Sequence, residues 1–333
     1  MTQQQHTPAP RTVAPLSETA VRERLGHSQM IETIEQMDQT YLDGIKRILT
    51  VSADTELISA PAYYRAAQDA PSTNAYVSAM SIIQDEMAHA HIAYRMLEDL
   101  GVSKEQLVYE RRAEDFKYPY AFDVPLESWP ELAVANALYD RAGFVLLSDV
   151  FEHTTYGPWK RALVKVDKEE SFHLRHGENW MKKLNKEPGG HAKLQRAVDW
   201  MFPLTVEWFG LPDSHKRHNI QIDYGFKGYT NDQLRQRWMS TAVPFLQSLD
   251  LDVPAYLDEQ TGQYVLTFPF PSEFDAEAKR WIFEDKPIGW DRVMLRWKAR
   301  GPSNQQYVGE LQRGYGELYG TGTGTRRWAE IIH

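Results

Sequence analysis

Residues 84–89 read QDEMAH and residues 169–173 read EESFH, and each stretch holds a glutamate followed three positions later by a histidine. The two pairs are Glu86 with His89 and Glu170 with His173. Residues three apart lie on one face of a helix, about one turn from each other, so both side chains of a pair can reach one metal ion. The repeated pattern therefore predicts that two helices contribute to a metal site.

The residues upstream distinguish these two pairs from a chance pattern. Each has an acidic residue thirty positions before its glutamate, Glu56 for the first pair and Asp140 for the second. A third pair, Glu330 with His333, has Arg300 at that distance, and arginine does not bind metals. Thirty residues is the span of half a helix, a turn and half a helix back, which brings the upstream acid level with the pair. We interpret the third pair as a surface accident.

Two such helical hairpins give four helices, four carboxylates and two imidazoles. This is the six-ligand set of a ferritin-like di-iron or di-manganese centre. The oxygen and nitrogen donors suit either metal. The predicted ligands are Glu56, Glu86, His89, Asp140, Glu170 and His173.

Helical periodicity extends over most of the chain and predicts an all-α protein. The apolar stripe that contains Glu56 is closed by Pro61, and Ser128 begins a capping box, SWPE, at the start of another helix. An alternating segment near 256–268 predicts a small hairpin. The predicted helices span 40–59, 73–100, 128–153, 159–184, 191–209, 231–249 and 273–299.

Other polar residues leave alternatives open. Asp38 lies on the same stripe as Glu56 and is the second candidate for that ligand position. Asp85 and Glu169 each precede a predicted ligand, and each is either a hydrogen-bond partner that orients a histidine or a solvated acid. Three further histidines lack an acid at the right spacing and are interpreted as surface or core groups: His91, His153 and His176.

Composition excludes several classes of protein. The chain has no cysteine, so it cannot hold disulfides or a cluster bound by its own thiolates. No run of about 18 apolar residues predicts a membrane span, and the first residues lack the apolar core of a signal peptide, so we expect a cytoplasmic protein. The net charge of −9 argues against broad nucleic-acid binding. No dinucleotide fingerprint is present, so electrons for an oxygenase must come from another protein.

Several motifs resemble the catalytic A subunits of bacterial ring-1,2-phenylacetyl-CoA epoxidases over about residues 40 to 300. These motifs are TYGPWKRALVKVDKEESFH, DEMAH, FKYPY and GYTNDQLRQRW. The resemblance implies a monooxygenase with two iron ions that uses O2 as co-substrate to epoxidise the ring of phenylacetyl-CoA. It implies that electrons come from NADPH only through a partner reductase. It also implies a hetero-oligomer with small accessory subunits and a related non-catalytic helical subunit.

The same resemblance assigns the family's metal ligands, which are also its catalytic residues, to the six residues that spacing selects. It assigns contacts with coenzyme A to Arg47, Lys117 and Lys227. The alternatives are an epoxidase of benzoyl-CoA or another aryl-CoA, and a non-catalytic ferritin-like scaffold or iron-binding protein. A scaffold has no need of six metal-binding side chains, which disfavours that alternative.

The expected architecture is a ferritin-like four-helix bundle with additional C-terminal helices and a small hairpin. We expect a disordered lead-in at 1–28, a di-iron oxygenase domain at 29–300 and a glycine-rich arm at 301–333.

Overall fold

Four long helices form the centre of the molecule, in a computed structural model that describes residues 16–216 and 219–319. They are α2 (Gln39–Ala67), α3 (Thr73–Asp99), α4 (Trp129–His153) and α5 (Gly157–Leu184). Helix α2 contacts α3, α3 contacts α5, α5 contacts α4 and α4 contacts α2, so the four helices close into a ring. This confirms the predicted ferritin-like bundle.

Side-chain caps fix the starts of three of these helices. The Asp38 carboxylate accepts a hydrogen bond from Tyr41 N at 2.7 Å at the start of α2, and the Ser72 hydroxyl caps α3. The Ser128 hydroxyl accepts from Glu131 N at 3.4 Å, as predicted. The Glu131 carboxylate, however, accepts from the backbone N–H of Glu127, one residue before the expected partner.

Helix α2 does not end at Pro61, so that prediction is wrong. The helix continues to Ala67 with Pro61 inside it. A proline within a helix removes one backbone hydrogen bond and costs about 3 kcal/mol. The turns after Pro61 bury Tyr63, Ala66 and neighbouring alanines in the core, and this tertiary packing outweighs the local cost.

Further elements surround the ring. Helices α6 (Gly190–Trp208) and α8 (Asn231–Gln247) pack on α4, and the Trp238 indole N–H donates to Leu138 O at 3.1 Å. The remaining helices are α1 (Glu18–Gly26), α7 (Ile220–Asp223), α9 (Trp290–Ala299) and α10 (Asn304–Tyr319). Short helical turns occupy the connections at Ile34–Gln36, Gln106–Glu110, Ala113–Asp115, Tyr120–Asp123 and Asp213–His215.

Two antiparallel hairpins precede the last helices. Strands β1 (Ala255–Asp258) and β2 (Gln263–Leu266) form the predicted hairpin. Strands β3 (Glu273–Asp275) and β4 (Arg280–Ile282) occupy a stretch that periodicity assigned to a helix, so the predicted helix at 273–299 is wrong over its first half. The Phe274 and Trp281 rings pair across this hairpin at 4.8 Å, and the Trp281 indole donates to Trp200 O at 2.9 Å. Burial of these aromatic rings outweighs local helix propensity.

The ends of the described chain are helical. Residues 18–26, which we expected to be disordered, form α1, and its Val21 is buried in the core. Helix α10 occupies the first half of the expected glycine-rich arm. Within the described ranges, no helix combines the length and the apolar character of a bilayer span. The division of the chain into three segments stays a prediction.

Helices α4 and α5 approach each other closely at Gly177. A Cβ atom built there would lie 2.4 Å from Ala137 N and 2.6 Å from Asn136 C, both backbone atoms of α4. We expect Gly177→Ala to lower the free energy of unfolding by about 1–3 kcal/mol, because the two helices must move apart. Urea unfolding followed by circular dichroism measures this change.

The matched control is Gly309→Ala in α10, where a Cβ atom meets no heavy atom within 4 Å. Alanine is favoured over glycine in a helix, so this variant keeps or gains stability. Equal stability of Gly177→Ala and the parent would contradict the close helix contact.

Candidate metal centre

The four helices of the ring each direct acidic or imidazole side chains into its centre. Helices α2 and α4 supply one carboxylate each, and α3 and α5 supply a glutamate and a histidine each. All six side chains are buried. They are the residues that the sequence spacing selects: Glu56, Glu86, His89, Asp140, Glu170 and His173.

The six side chains form two groups of three. One group is Glu56, His89 and Glu170, and the other is Glu86, Asp140 and His173. Within each group, one possible ligand atom per residue lies within 4.8 Å of the others. Each group draws on both helical hairpins of the ring. The site therefore exists only when the two hairpins are packed together.

The Glu170 carboxylate belongs to the first group and also faces the second. Its Oε1 is 3.2 Å from His89 Nδ1 and 3.5 Å from His173 Nδ1. His89 Nδ1 is also 3.5 Å from Glu56 Oε2, and His173 Nδ1 is 3.1 Å from Glu86 Oε1. If each group held a metal ion, Glu170 would be the carboxylate that lies close to both.

Two imidazole nitrogens at the centre face one carboxylate oxygen without hydrogen-bond geometry. They are His89 Nδ1, His173 Nδ1 and Glu170 Oε1, all fully buried and without a hydrogen-bond partner. A buried polar atom normally has a partner, because leaving it unpaired costs about 1–3 kcal/mol. Divalent cations would satisfy all three atoms at once, so the residues present fit a two-metal site.

The far nitrogens of both histidines contact carboxylates from the opposite hairpin. Glu169 Oε2 lies 2.9 Å from His89 Nε2, and Asp85 Oδ2 lies 3.3 Å from His173 Nε2. Such partners fix the tautomer and the orientation of a metal-binding imidazole. Of the two interpretations of Asp85 and Glu169, the structure supports the hydrogen-bond partner. The sequence analysis did not predict that each acid contacts the histidine of the other motif.

Three residues that the sequence analysis missed hold the carboxylates in place. The Ser59 hydroxyl donates to Glu86 Oε2 at 2.5 Å, and the Tyr63 hydroxyl donates to Asp140 Oδ1. The Asn136 amide donates to Asp140 Oδ2 at 2.8 Å. Ser59 and Tyr63 follow Glu56 by three and seven residues, and Asn136 precedes Asp140 by four. Helical spacing from the predicted ligands is the signal that could have found them.

Burial and mutual repulsion perturb the acids of the site. Burial and the charges of Glu56 and Glu170 raise the pKa of Glu86 to about 8, and burial raises the pKa of Asp140. Burial opposes the charge on His89, but the carboxylates of Glu170 and Glu56 outweigh it and raise the His89 pKa to about 11. Protons and cations therefore compete for the same oxygens and nitrogens, and metal binding releases protons.

The other candidate residues lie outside the centre. The Asp38 carboxylate caps α2 and accepts from the Tyr224 hydroxyl at 3.1 Å, so it does not take the position of Glu56 at the centre. His91 is exposed beside Lys104, and His153 pairs with Asp149. His176 is a core group, since its Nδ1 lies 3.2 Å from Asn136 Oδ1. The pair Glu330 and His333 lies outside the described residues.

A cavity of about 340 Å³ leads from the surface to Glu56. Its wall is mainly apolar and includes Leu146, Leu147 and Trp159. Gly143 of α4 also lines the cavity, and a Cβ atom there would lie 3.7 Å from Glu170 Oε2, so this part of the wall is close to that carboxylate. The cavity therefore reaches the site from the side of α2 and α4.

The three cations assigned by resemblance line this cavity or its neighbour. Arg47 and Lys227 line the first cavity, and Arg47 and Lys117 line a second one of about 760 Å³. The cavities share Arg47 and Trp208, so they adjoin. Lys227 is buried, donates to Asn231 Oδ1 at 2.9 Å, and has a pKa lowered by burial to about 8. Lys216, which the sequence analysis missed, also lines the first cavity.

Buried ion pairs hold the connection between α3 and α4 against the bundle. The Arg111 guanidinium donates to both oxygens of Asp54, at 3.0 and 2.6 Å, and Lys117 N donates to Asp54 Oδ2 at 2.7 Å. Arg300 pairs with Asp123 at 2.8 Å. These contacts fix the segment that lines the second cavity.

Comparison with known proteins gives two findings. A family model described as "Phenylacetic acid catabolic protein" matches residues 12–277, a range that contains all six central side chains. The chain is 28% identical over 252 residues to one of the subunits of 1,2-phenylacetyl-CoA epoxidase from Escherichia coli (strain K12), the one designated A. That alignment covers 74% of this chain and 81% of the relative.

The two-group geometry predicts which substitutions remove metal. We expect Glu86→Ala and His173→Ala each to lower the iron bound per chain after loading with ferrous iron and desalting, because each removes a ligand from the second group. Elemental analysis by mass spectrometry measures the iron, and circular dichroism checks that the variants are folded.

The matched controls are Glu187→Ala and His191→Ala, which remove an exposed acid and an exposed histidine near the start of α6. These variants should keep the iron content of the parent. Parent-like iron in both Glu86→Ala and His173→Ala would rule out the proposed ligand set.

Proposed function

This chain belongs to the family of phenylacetic acid catabolic proteins, and we therefore propose that it is the catalytic subunit of a di-iron monooxygenase that epoxidises the ring of phenylacetyl-CoA. The observation that carries the proposal is the pair of buried three-residue groups at the end of an apolar cavity, with Glu170 of the first group facing the histidine of the second. A relative that carries the epoxidase name supports it.

The donor set is compatible with the iron that this function requires. Four carboxylates and two imidazoles without sulfur suit iron or manganese, and in such a site two irons supply the reduction of dioxygen. Epoxidation of one ring consumes one dioxygen, two electrons and two protons and yields one water. The chain has no cysteine and no dinucleotide fingerprint, so the electrons come from NADPH through a partner reductase.

The protein's own side chains perform three tasks in this reaction. Asp85 and Glu169 hold both imidazoles with Nδ1 directed inward. Ser59 and Tyr63 hold the carboxylates of Glu86 and Asp140 by hydroxyl donation. The apolar wall of the first cavity excludes water from the space where the ring meets Glu56, which limits unproductive consumption of dioxygen.

The adjoining cavities suit a long thioester with a charged end. Arg47 lies nine residues before Glu56, which is about 14 Å along the axis of α2. Phosphates held by Arg47, Lys117 and Lys227 would allow the pantetheine arm to pass along the first cavity to the metal ligands. A buried lysine such as Lys227 regains favourable interactions when an anion binds beside it.

We propose that the chain works in a hetero-oligomer in the cytoplasm. The relative in Escherichia coli is named as one subunit of its enzyme, which supports an assembly of several chains. The proposed partners are a related non-catalytic helical subunit, small accessory subunits and the reductase.

The function is tested by reconstitution with the helical partner and the reductase. We expect NADPH-dependent and oxygen-dependent conversion of phenylacetyl-CoA to a product with one added oxygen atom, detected by mass spectrometry with labelled dioxygen. Benzoyl-CoA and other aryl-CoA thioesters form the comparison panel, because a pocket distinguishes a single methylene by only about 1–3 kcal/mol.

Faster conversion of benzoyl-CoA would assign the chain to the alternative substrate. Failure to consume any thioester by the iron-loaded complex would contradict the enzymatic proposal. A closed shell of many copies of this chain in size-exclusion chromatography would favour iron storage instead.

The cavity geometry predicts a separate effect on substrate binding. We expect Arg47→Ala and Lys227→Ala each to raise the KM for the thioester about tenfold or more, because each removes a charge-assisted contact with a phosphate worth about 1.5–3 kcal/mol. Steady-state kinetics of the reconstituted complex measures the effect, and iron content should stay at the parent value.

Lys193→Ala, which removes an exposed cation of α6, is the matched control and should leave KM unchanged. Lys227→Met keeps the buried stem of the side chain and separates the loss of charge from the loss of packing. Parent-like KM in both test variants would place coenzyme A elsewhere.

A further inference from the structure

Gly143 lies in the interior of α4, at a position where local structure does not call for glycine. Glycine in the middle of a helix is less favourable than alanine, because its backbone loses more conformational freedom on folding. A helical glycine is therefore usually explained by a positive φ or by the close approach of another backbone. Gly143 has a negative φ within a regular helix, so the first explanation does not apply.

Close packing against a neighbouring helix does not explain Gly143 either. At Gly177 a Cβ atom would lie 2.4 Å from Ala137 N, so packing requires glycine at that position. Around a Cβ atom at Gly143, the described chain outside the backbone of the same helical turns offers one heavy atom within 4 Å, Glu170 Oε2 at 3.7 Å. This is an ordinary van der Waals distance. Alanine would therefore fit at position 143 and would favour the helix.

The open space beside Gly143 is the inner end of the first cavity. Asp140, Gly143 and Leu147 follow one another at intervals of three and four residues, so they share one face of α4. Asp140 belongs to the second group of central side chains, whereas Gly143 and Leu147 line the cavity. Gly143 is thus the residue of this face at which the cavity meets the metal centre.

This inner end suits an apolar group. Leu146 and Leu147 of α4 and Trp159 of α5 contribute apolar surface to the wall. Thr55 of α2 also lines it, but its hydroxyl donates to Val51 O at 2.7 Å and is already engaged. An apolar pocket binds an apolar group most favourably. In the proposed substrate, the aryl ring is the apolar end.

We propose that Gly143 makes room for the aryl ring beside the metal centre and thereby selects acyl-CoA thioesters that carry a ring. This inference rests on the proposed function, because the ring belongs to the substrate proposed there. A ring carbon packed on the Cα atom of Gly143 lies about 3.5–4.0 Å from it. A methyl group at this position would occupy the same space and hold the ring away from Glu170. An acetyl group is too small to reach it.

The test compares phenylacetyl-CoA with acetyl-CoA, which share the coenzyme and the thioester and differ in the ring. Calorimetry with the iron-loaded full chain, without a reductant, measures the Kd of each. In the parent we expect phenylacetyl-CoA to bind more tightly, because its ring is buried. Gly143→Ala should raise the Kd of phenylacetyl-CoA about tenfold or more and leave the Kd of acetyl-CoA unchanged. Iron content should stay at the parent value.

Thermal unfolding separates a role in ring binding from a merely structural role. Because alanine fits at position 143 and favours the helix, Gly143→Ala should raise the Tm by about 1–3 °C while it weakens binding of phenylacetyl-CoA. A structural role predicts a lower Tm and equal losses of affinity for both thioesters. Gly309→Ala is the matched control, since it makes the same exchange in a helix and lines neither cavity. It should bind both thioesters like the parent.

Three results for Gly143→Ala overturn the proposal: an unchanged Kd of phenylacetyl-CoA, an equal rise in Kd for both thioesters, or a Tm below that of the parent. Equal binding of both thioesters by the parent, or binding of neither, also overturns it. Calorimetry does not depend on turnover. If the parent prefers phenylacetyl-CoA and the reconstituted complex forms no oxygenated product, the proposed function fails while the role of Gly143 in ring binding stands.

Discussion

Four carboxylates and two imidazoles are buried at one point between four helices, and the surrounding structure has to accommodate their charge. Each buried charge costs several kcal/mol to remove from water, and carboxylates at close range repel one another. The raised pKa of Glu86 and of Asp140 reflects that cost. A pair of cations would offset it for all six groups together, and a stable bundle would then tolerate such a centre.

The crossed contacts of Asp85 with His173 and of Glu169 with His89 connect the metal centre to both the fold and the surface. They join α3 to α5 and aim both imidazoles at the centre. Both acids are partly exposed, so they also bring the ligands close to solvent on one side. The cavity that ends at Glu56 approaches from the side of α2 and α4.

Buried ion pairs give the outer cavity a defined wall. Asp54 lies two residues before Glu56 on α2, and its pairing with Arg111 and with Lys117 N ties the connection after α3 to the same helix. The pair of Asp123 with Arg300 attaches the end of α9 to that connection. Such pairs contribute geometry more than stability, because desolvation offsets most of the Coulomb attraction. The proposed phosphate contact of Lys117 depends on this fixed segment.

Spacing along the chain was enough to predict the bundle and the convergence of its six central side chains. The contacts between side chains of different helices were decided by how the helices pack. A three-residue spacing within a helix and a thirty-residue spacing between paired helices follow from the geometry of the α-helix, so they are visible without coordinates. Partners such as Ser59 and Asn136 obey the same local geometry. The crossing of Asp85 and Glu169 depends instead on how the two hairpins pack, and no spacing along one helix encodes it. The passage of α2 through Pro61 and the β3–β4 hairpin in place of a helix likewise result from burial of side chains that are distant in sequence. The exposure of the α5 side chains is likewise a tertiary property, because it depends on which side of α5 the other helices cover.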